Sequence, residues 1–131
     1  MTQEDKELLL KDLTARLPYC VKIELTWWVM DEGTYVNVTL EPEHIEQLLN
    51  YENYITEIKP YLFPLSSMTE EQKKEYQYIT ERWMYDSSYS ISDSTDWLNK
   101  NHFDYRGLIP MGLAIDATDK NIYMDLPDTY E

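Results

Sequence analysis

Apolar residues change their period several times along the chain, and each change marks an element. Leu10, Leu13 and Leu17, with Leu9 beside them, recur at helical spacing and form one apolar stripe. Thr2 is placed to cap this helix, and Glu4 and Asp5 stand in its first turn, where negative charge favours the positive end of the helix dipole. Pro18 biases Leu17 away from helical angles and ends the run. From Cys20 to Met30 the period drops to two. Val21, Ile23, Leu25, Trp27 and Val29 share one face of a strand, and Lys22, Glu24, Thr26 and Trp28 share the other. Asp31-Glu32-Gly33-Thr34 is turn chemistry, and Val36, Val38 and Leu40 then alternate on one side of a second strand. A β-hairpin over 20–40 follows.

Beyond the hairpin the pattern is less regular. Pro42 suits the first turn of a helix whose short buried side would be Ile45, Leu48 and Leu49. In residues 58–68, IKPYLFPLSSM, Pro60 and Pro64 exclude helix and leave an extended segment packed on the core. TEEQ at 69–72 has the spacing of a capping box, with Thr69 and Gln72 each satisfying the other's backbone N–H. Gln72, Tyr76, Ile79 and Trp83 fall on one face of the helix it starts. Residues 85–94, YDSSYSISDS, read as a polar loop, after which Ser94 or Asp93 caps a brief helix containing Trp97 and Leu98 and ending near Asn101. The tail from Thr118 to Glu131 is acidic, carries Pro127 and is expected to fray. These elements predict a single α+β domain spanning 1–131. Its small antiparallel sheet is built on the 20–40 hairpin and packed by three or four helices, among them those at 3–17 and 69–84.

Composition narrows the function classes. The chain has 25 acidic and 11 basic residues, a formal net charge of -14, so phosphate backbones and anionic membranes repel it. Direct nucleic-acid binding is therefore not expected, whereas a protein partner with a basic surface remains electrostatically open, and the acidity also serves solubility alone. A single cysteine, Cys20, excludes an internal disulfide and any cysteine-rich zinc site, fits a reducing cytoplasm, and reads as a small buried hydrophobe. No segment approaches the roughly 18 apolar residues of a membrane span, and the N-terminus lacks the pattern of a signal peptide.

The candidate chemistry lies in NHFDYRGLIPMGLAID, residues 101–116. A catalytic reading makes His102 a general base, Asp104 its orienting acid and Arg106 an anion clamp. A structural reading has Asp104 cap a turn beginning at Tyr105 by accepting N–H groups two or three residues on. It places His102 and Arg106 on the solvated side and Phe103 and Leu108 in the core. The structural reading is preferred, because side chains at i, i+2 and i+4 share a face only in an extended strand, and Gly107 and Pro110 make that improbable. His44 and His102 lie outside any recognisable metal-ligand spacing, and the three glycines cannot form a phosphate-cradling loop. No cofactor or metal is implied. The aromatic surplus, twelve Tyr and four Trp, leaves one of Trp27 and Trp28 facing a second packing layer or a partner. Trp28, His102, Tyr105 and Arg106 are thus the candidate interaction surface.

Two stretches, KPYLFPLSSMTEEQKKEY (59–76) and DWLNKNHFDYRGLIPMGLAID (96–116), together with LLLKDLTARLPYCVK (8–22), resemble a family of small uncharacterised proteins from gut Bacteroides and related bacteria, their phages and mobile elements. The resemblance implies a bacterial or phage cytoplasmic protein and brings with it no activity, cofactor or site residue. The expectation that follows is a non-catalytic protein-interaction or regulatory module. The alternative is a small enzyme or ligand-binding domain using His102, Asp104 and Arg106.

Overall fold

A computed structural model of the protein describes residues 2–27, 34–50, 55–82, 84–85, 90–120 and 122–123. The elements in chain order are α1 (Gln3–Arg16), β1 (Lys22–Trp27), β2 (Thr34–Thr39), α2 (Pro42–Asn50), β3 (Ile55–Pro64), α3 (Glu70–Arg82), α4 (Ile91–Lys100), β4 (Phe103–Asp104) and β5 (Ile115–Asp116). The fold is α+β. Its sheet is mixed, where an antiparallel one was expected: β1 pairs antiparallel with β2 and β3, while β4 and β5 pair with β3 in parallel. The reason is topological, since β4 returns only after the long α3–α4 connection, and a parallel return needs a crossover of a dozen or more residues.

The segment expected as an extended strip on the core is in fact the central strand β3. Its two prolines sit where ladders stop. Pro60 is the last partner of β1, opposite Ile23, and Pro64 is the last residue of the strand. At such ends a missing N–H disturbs no interior ladder bond.

The main core lies between the sheet and helices α1 and α2. Leu9, Leu13, Val21, Ile23, Leu25, Leu40, Leu48, Ile58, Leu62 and Leu108 are buried together there. Of the residues expected to share one face of β1, Val21, Ile23 and Leu25 point inward, and Lys22, Glu24 and Thr26 on the other face stay half-exposed. In β2 the expected alternation breaks, leaving Val36 58% exposed. Between the pairs Ile23–Val38 and Leu25–Tyr35, β2 advances one residue more than β1, and Asn37 takes a positive φ of 59°. This bulge shifts Val36 out of phase with Val38. In α2, Leu48 is buried but Leu49 is 52% exposed, because His44, one turn before Leu48, takes the second buried position. His44 Nδ1 accepts the Glu41 N–H at 3.0 Å.

Local signals at the helix ends were mostly sound. Asp5 N–H donates to Thr2 Oγ1, and Thr69 and Gln72 exchange hydrogen bonds of 2.9 and 3.1 Å. Leu17, however, keeps helical angles, and Pro18 opens a 3-10 turn, where it needs no N–H. Helix α4 begins earlier than expected, at Ile91. Ser90 is its cap, and the Asp93 carboxylate accepts the Ser90 N–H at 2.7 Å. Helix α3 has no fully buried residue among those described. It packs mainly on α4, with Tyr76 and Ile79 against a second apolar cluster of Trp97 and Leu98 from α4 and Phe103 from β4. The tail expected to fray from Thr118 is held as far as Tyr123, whose hydroxyl donates to the Tyr61 carbonyl at 2.8 Å and accepts the Lys22 N–H at 2.8 Å. Trp28, Trp83 and residues 124–131 lie outside the described residues.

Candidate functional site

The 101–109 stretch leaves α4, forms β4 and turns back beneath α1. His102 is the residue that breaks the helix. It takes a left-handed φ of 64°, its N–H donates to the Asn99 carbonyl, and its own carbonyl accepts from Phe63 in the sheet. Histidine tolerates this conformation better than most residues with a side chain.

Asp104 then organises the turn, as expected, but over a longer reach. Its Oδ1 accepts the Leu108 N–H at 2.8 Å and its Oδ2 the Ile109 N–H at 2.9 Å, four and five residues on. Both oxygens of this buried carboxylate are engaged by backbone. Phe103 and Leu108 are core residues at 2% and 0% exposure.

His102 and Arg106 do not lie on a solvated side. Arg106 Nη1 donates to Asp12 Oδ1 at 2.9 Å and to the Tyr105 hydroxyl at 2.9 Å, and its guanidinium carbon lies 4.7 Å from the centre of the Tyr105 ring. Asp12 Oδ2 accepts from Arg16 Nε at 2.8 Å, and Arg16 Nη2 donates to the Phe103 carbonyl at 2.6 Å. The side chains of Asp12 and Arg16 are fully buried. Tyr105 donates in turn to Asn99 Oδ1 at 2.9 Å. One carboxylate of α1 thus holds two guanidinium groups, and through Arg106 and Phe103 it ties the N-terminal helix to the C-terminal turn. Such a buried pair costs much to desolvate and persists only when most of its donors find partners.

The His102 ring stacks on Tyr123, with centroids 3.9 Å apart and planes 12° from parallel. Burial, and next the Arg16 charge, push its pKa down to about 4. The ring is therefore neutral at physiological pH, and its Nδ1 is buried without a protein partner. Burial raises the Tyr123 hydroxyl well above the usual tyrosine range.

The expected site residues do not converge on a reacting centre. Asp104 faces backbone N–H groups, Arg106 faces Asp12, and His102 faces Tyr123. Tyr105 is half-buried between the two arginines, and Trp28 lies outside the described residues. Cys20 is exposed, not buried as expected. It adopts a left-handed φ of 58° between the 3-10 turn and β1, and Val21 takes the core position next to it. Among the described residues no group of three or more His, Cys, Asp or Glu could hold a metal ion, and no helix is long and apolar enough to cross a membrane.

Two participants were missed in the sequence, Asp12 and Arg16. The signal was present, because residues 9, 12, 13 and 16 form the i, i+3, i+4, i+7 stripe of α1, and two of those core positions are charged. No protein-family model, curated protein or solved structure matches this chain.

Proposed function

We propose that this chain is a non-catalytic protein-interaction or regulatory module whose partner presents a basic surface. The observation that carries the reading is the distribution of charge. Between Lys22 and Lys59 the sequence holds eight carboxylates and no Lys or Arg. In the structure the described residues of this span belong to β1, β2, α2 and the start of β3. Glu41, Glu43 and Glu46 are exposed there, and the exposed apolar residues Val36 and Leu49 belong to the same span. Apolar contacts within a field of one sign suit a partner of opposite sign, because charge steers the encounter and apolar area holds the complex. The same field opposes direct contact with nucleic acid.

The geometry of His102, Asp104 and Arg106 gives a catalytic use no support, since each is committed to a different partner within the fold. The phage or mobile-element origin implied by the resemblance would make a host or rival protein the natural partner, acting in the cytoplasm.

The test is affinity capture from a bacterial host extract at increasing salt. A basic protein should be retained at low salt and released as salt rises. Replacing Glu41, Glu43 and Glu46 together by Gln should abolish its capture, while Glu70, Glu71 and Glu75 replaced in the same way on α3 should not. Capture that survives the α2 replacement, or that ignores salt, would contradict the reading.

A further inference from the structure

A cavity of about 450 Å³ opens where α4 ends, between the tip of β3 and the first turn of α3. Its apolar wall is aromatic, made of Phe63, Phe103 and Tyr123, and its floor includes His102. Its polar lining is Ser67, Gln72, Lys100, Asn101 and Thr118. In a chain with 25 acidic residues, none of these lining residues is a carboxylate.

We propose that this cavity binds a small aromatic anion, its ring against the Phe63–Phe103–Tyr123 wall and its carboxylate or phosphate group towards Lys100. This goes beyond the interaction reading and uses residues outside the acidic span. Four observations support it. The volume falls within the range of small-molecule pockets, and the mix of apolar wall with a few polar groups is what such pockets have. Lys100 stands in the last turn of α4 and lines the cavity, and it makes no ion pair among the described residues, so its ammonium is open to a bound anion. Gln72 commits its Oε1 to the Thr69 N–H, and Asn101 commits its Nδ2 to the Trp97 carbonyl. The Gln72 amide nitrogen therefore remains a donor.

The fourth observation is electrostatic. Beneath the cavity, Arg16 and Arg106 share one carboxylate, Asp12, with the buried Asp104 carboxylate in the same turn, and Arg16 is the member of this cluster whose charge reaches His102. Arg16 lies close enough to oppose protonation of His102, and the same field favours an anion at this place. His102 lines the cavity, and its Nδ1 is buried without a protein partner.

The experiment is an NMR titration of the full chain with benzoate, with its neutral isostere benzamide and with the cation benzylamine. Benzoate should shift the backbone amides of Asn101, His102, Phe103 and Thr118 with a dissociation constant of about a millimolar, typical of so small a ligand. Benzamide should bind roughly tenfold more weakly and benzylamine not at all. Lys100→Gln, an exposed substitution that leaves the fold intact, should weaken benzoate roughly tenfold and leave benzamide unchanged. Thr118→Val, also in the lining, keeps Lys100 and should preserve the preference for benzoate over benzamide. The proposal is overturned if benzoate leaves those amides unmoved at about ten times that concentration, if all three probes shift them alike, or if Lys100→Gln has no effect on benzoate.

Discussion

Asp104 and Asp12 are both buried carboxylates at the same end of the molecule, and they are held in opposite ways. Asp104 is neutralised by geometry, with each oxygen taking one backbone N–H from residues 108 and 109. Asp12 is neutralised by charge, with one oxygen facing Arg16 on its own helix and the other facing Arg106, 94 positions away. The first arrangement is a self-contained turn that any chain with the same few residues could form. The second exists only when α1 and the C-terminal turn have docked, so it reports the tertiary fold. Removing a carboxylate should therefore cost more at position 12 than at position 104, because it strands two cations rather than two amide groups.

The largest effect should come from Asp12→Ala. With its partner gone, Arg16 keeps a fully buried guanidinium, and the loss measured by urea denaturation should be about 3–5 kcal/mol. A loss below about 1 kcal/mol would mean that the pair is hydrated and the contrast with Asp104 is empty.

His102 supplies the next test, since it faces the Arg16 charge and the Tyr123 ring rather than a carboxylate. Its folded pKa of about 4 lies below the ordinary 6.5. The unfolded chain thus takes up the proton first, and stability is lost as the pH falls from 6.5 towards 4. The wild type should lose on the order of 2–3 kcal/mol more over that window than His102→Asn, which keeps a residue tolerant of left-handed angles. Parallel pH curves for the two proteins would show that the imidazole is not held neutral.

Asp104→Ala should follow, at about 1–3 kcal/mol, through two buried N–H groups left without acceptors. Asp104→Asn retains one acceptor oxygen and should recover about half of that loss. If Asn were as damaging as Ala, charge rather than geometry would be what matters at 104. The smallest effect should be Arg106→Ala, about 1–2 kcal/mol, since Asp12 keeps Arg16 and the partly exposed Arg106 is the replaceable member of the trio.

The same contrast explains what the sequence could reveal. Several hydrogen bonds closed within five residues were legible, the Thr2 cap, the Thr69–Gln72 box and the Asp104 turn among them, whereas the Ser90–Asp93 box was passed over because Ser94 and Asp93 offered a cap of the same type three or four residues on. The inward face of β1 was legible too, because a period of two fixes which residues share a side. What depended on distant partners was not. Asp12 and Arg16 stand on the buried stripe of α1, but nothing near them in sequence names the Phe103 carbonyl and Arg106 as the partners that hold them there. Pro60 and Pro64 argued against a central strand, and what admits them is where the neighbouring strands stop. Val36 was grouped on one side with Val38 and Leu40 because a one-residue bulge at Asn37 leaves no mark in a hydrophobic pattern. Tyr123 was taken for part of a loose tail, since its partners on β1 and β3 lie 62 or more positions away.

The central claim is that the histidine, aspartate and arginine of residues 102–106 serve the fold, with Arg106 locked to α1 rather than free for a substrate. A double-mutant cycle between Asp12 and Arg106 tests it most directly, using Asp12→Asn, Arg106→Gln and the double variant in urea melts. The account predicts a coupling of about 1–3 kcal/mol, with the double variant losing clearly less than the two single losses added together. Losses that add to within about 0.5 kcal/mol would contradict it and return Arg106 to the surface as a group available for binding.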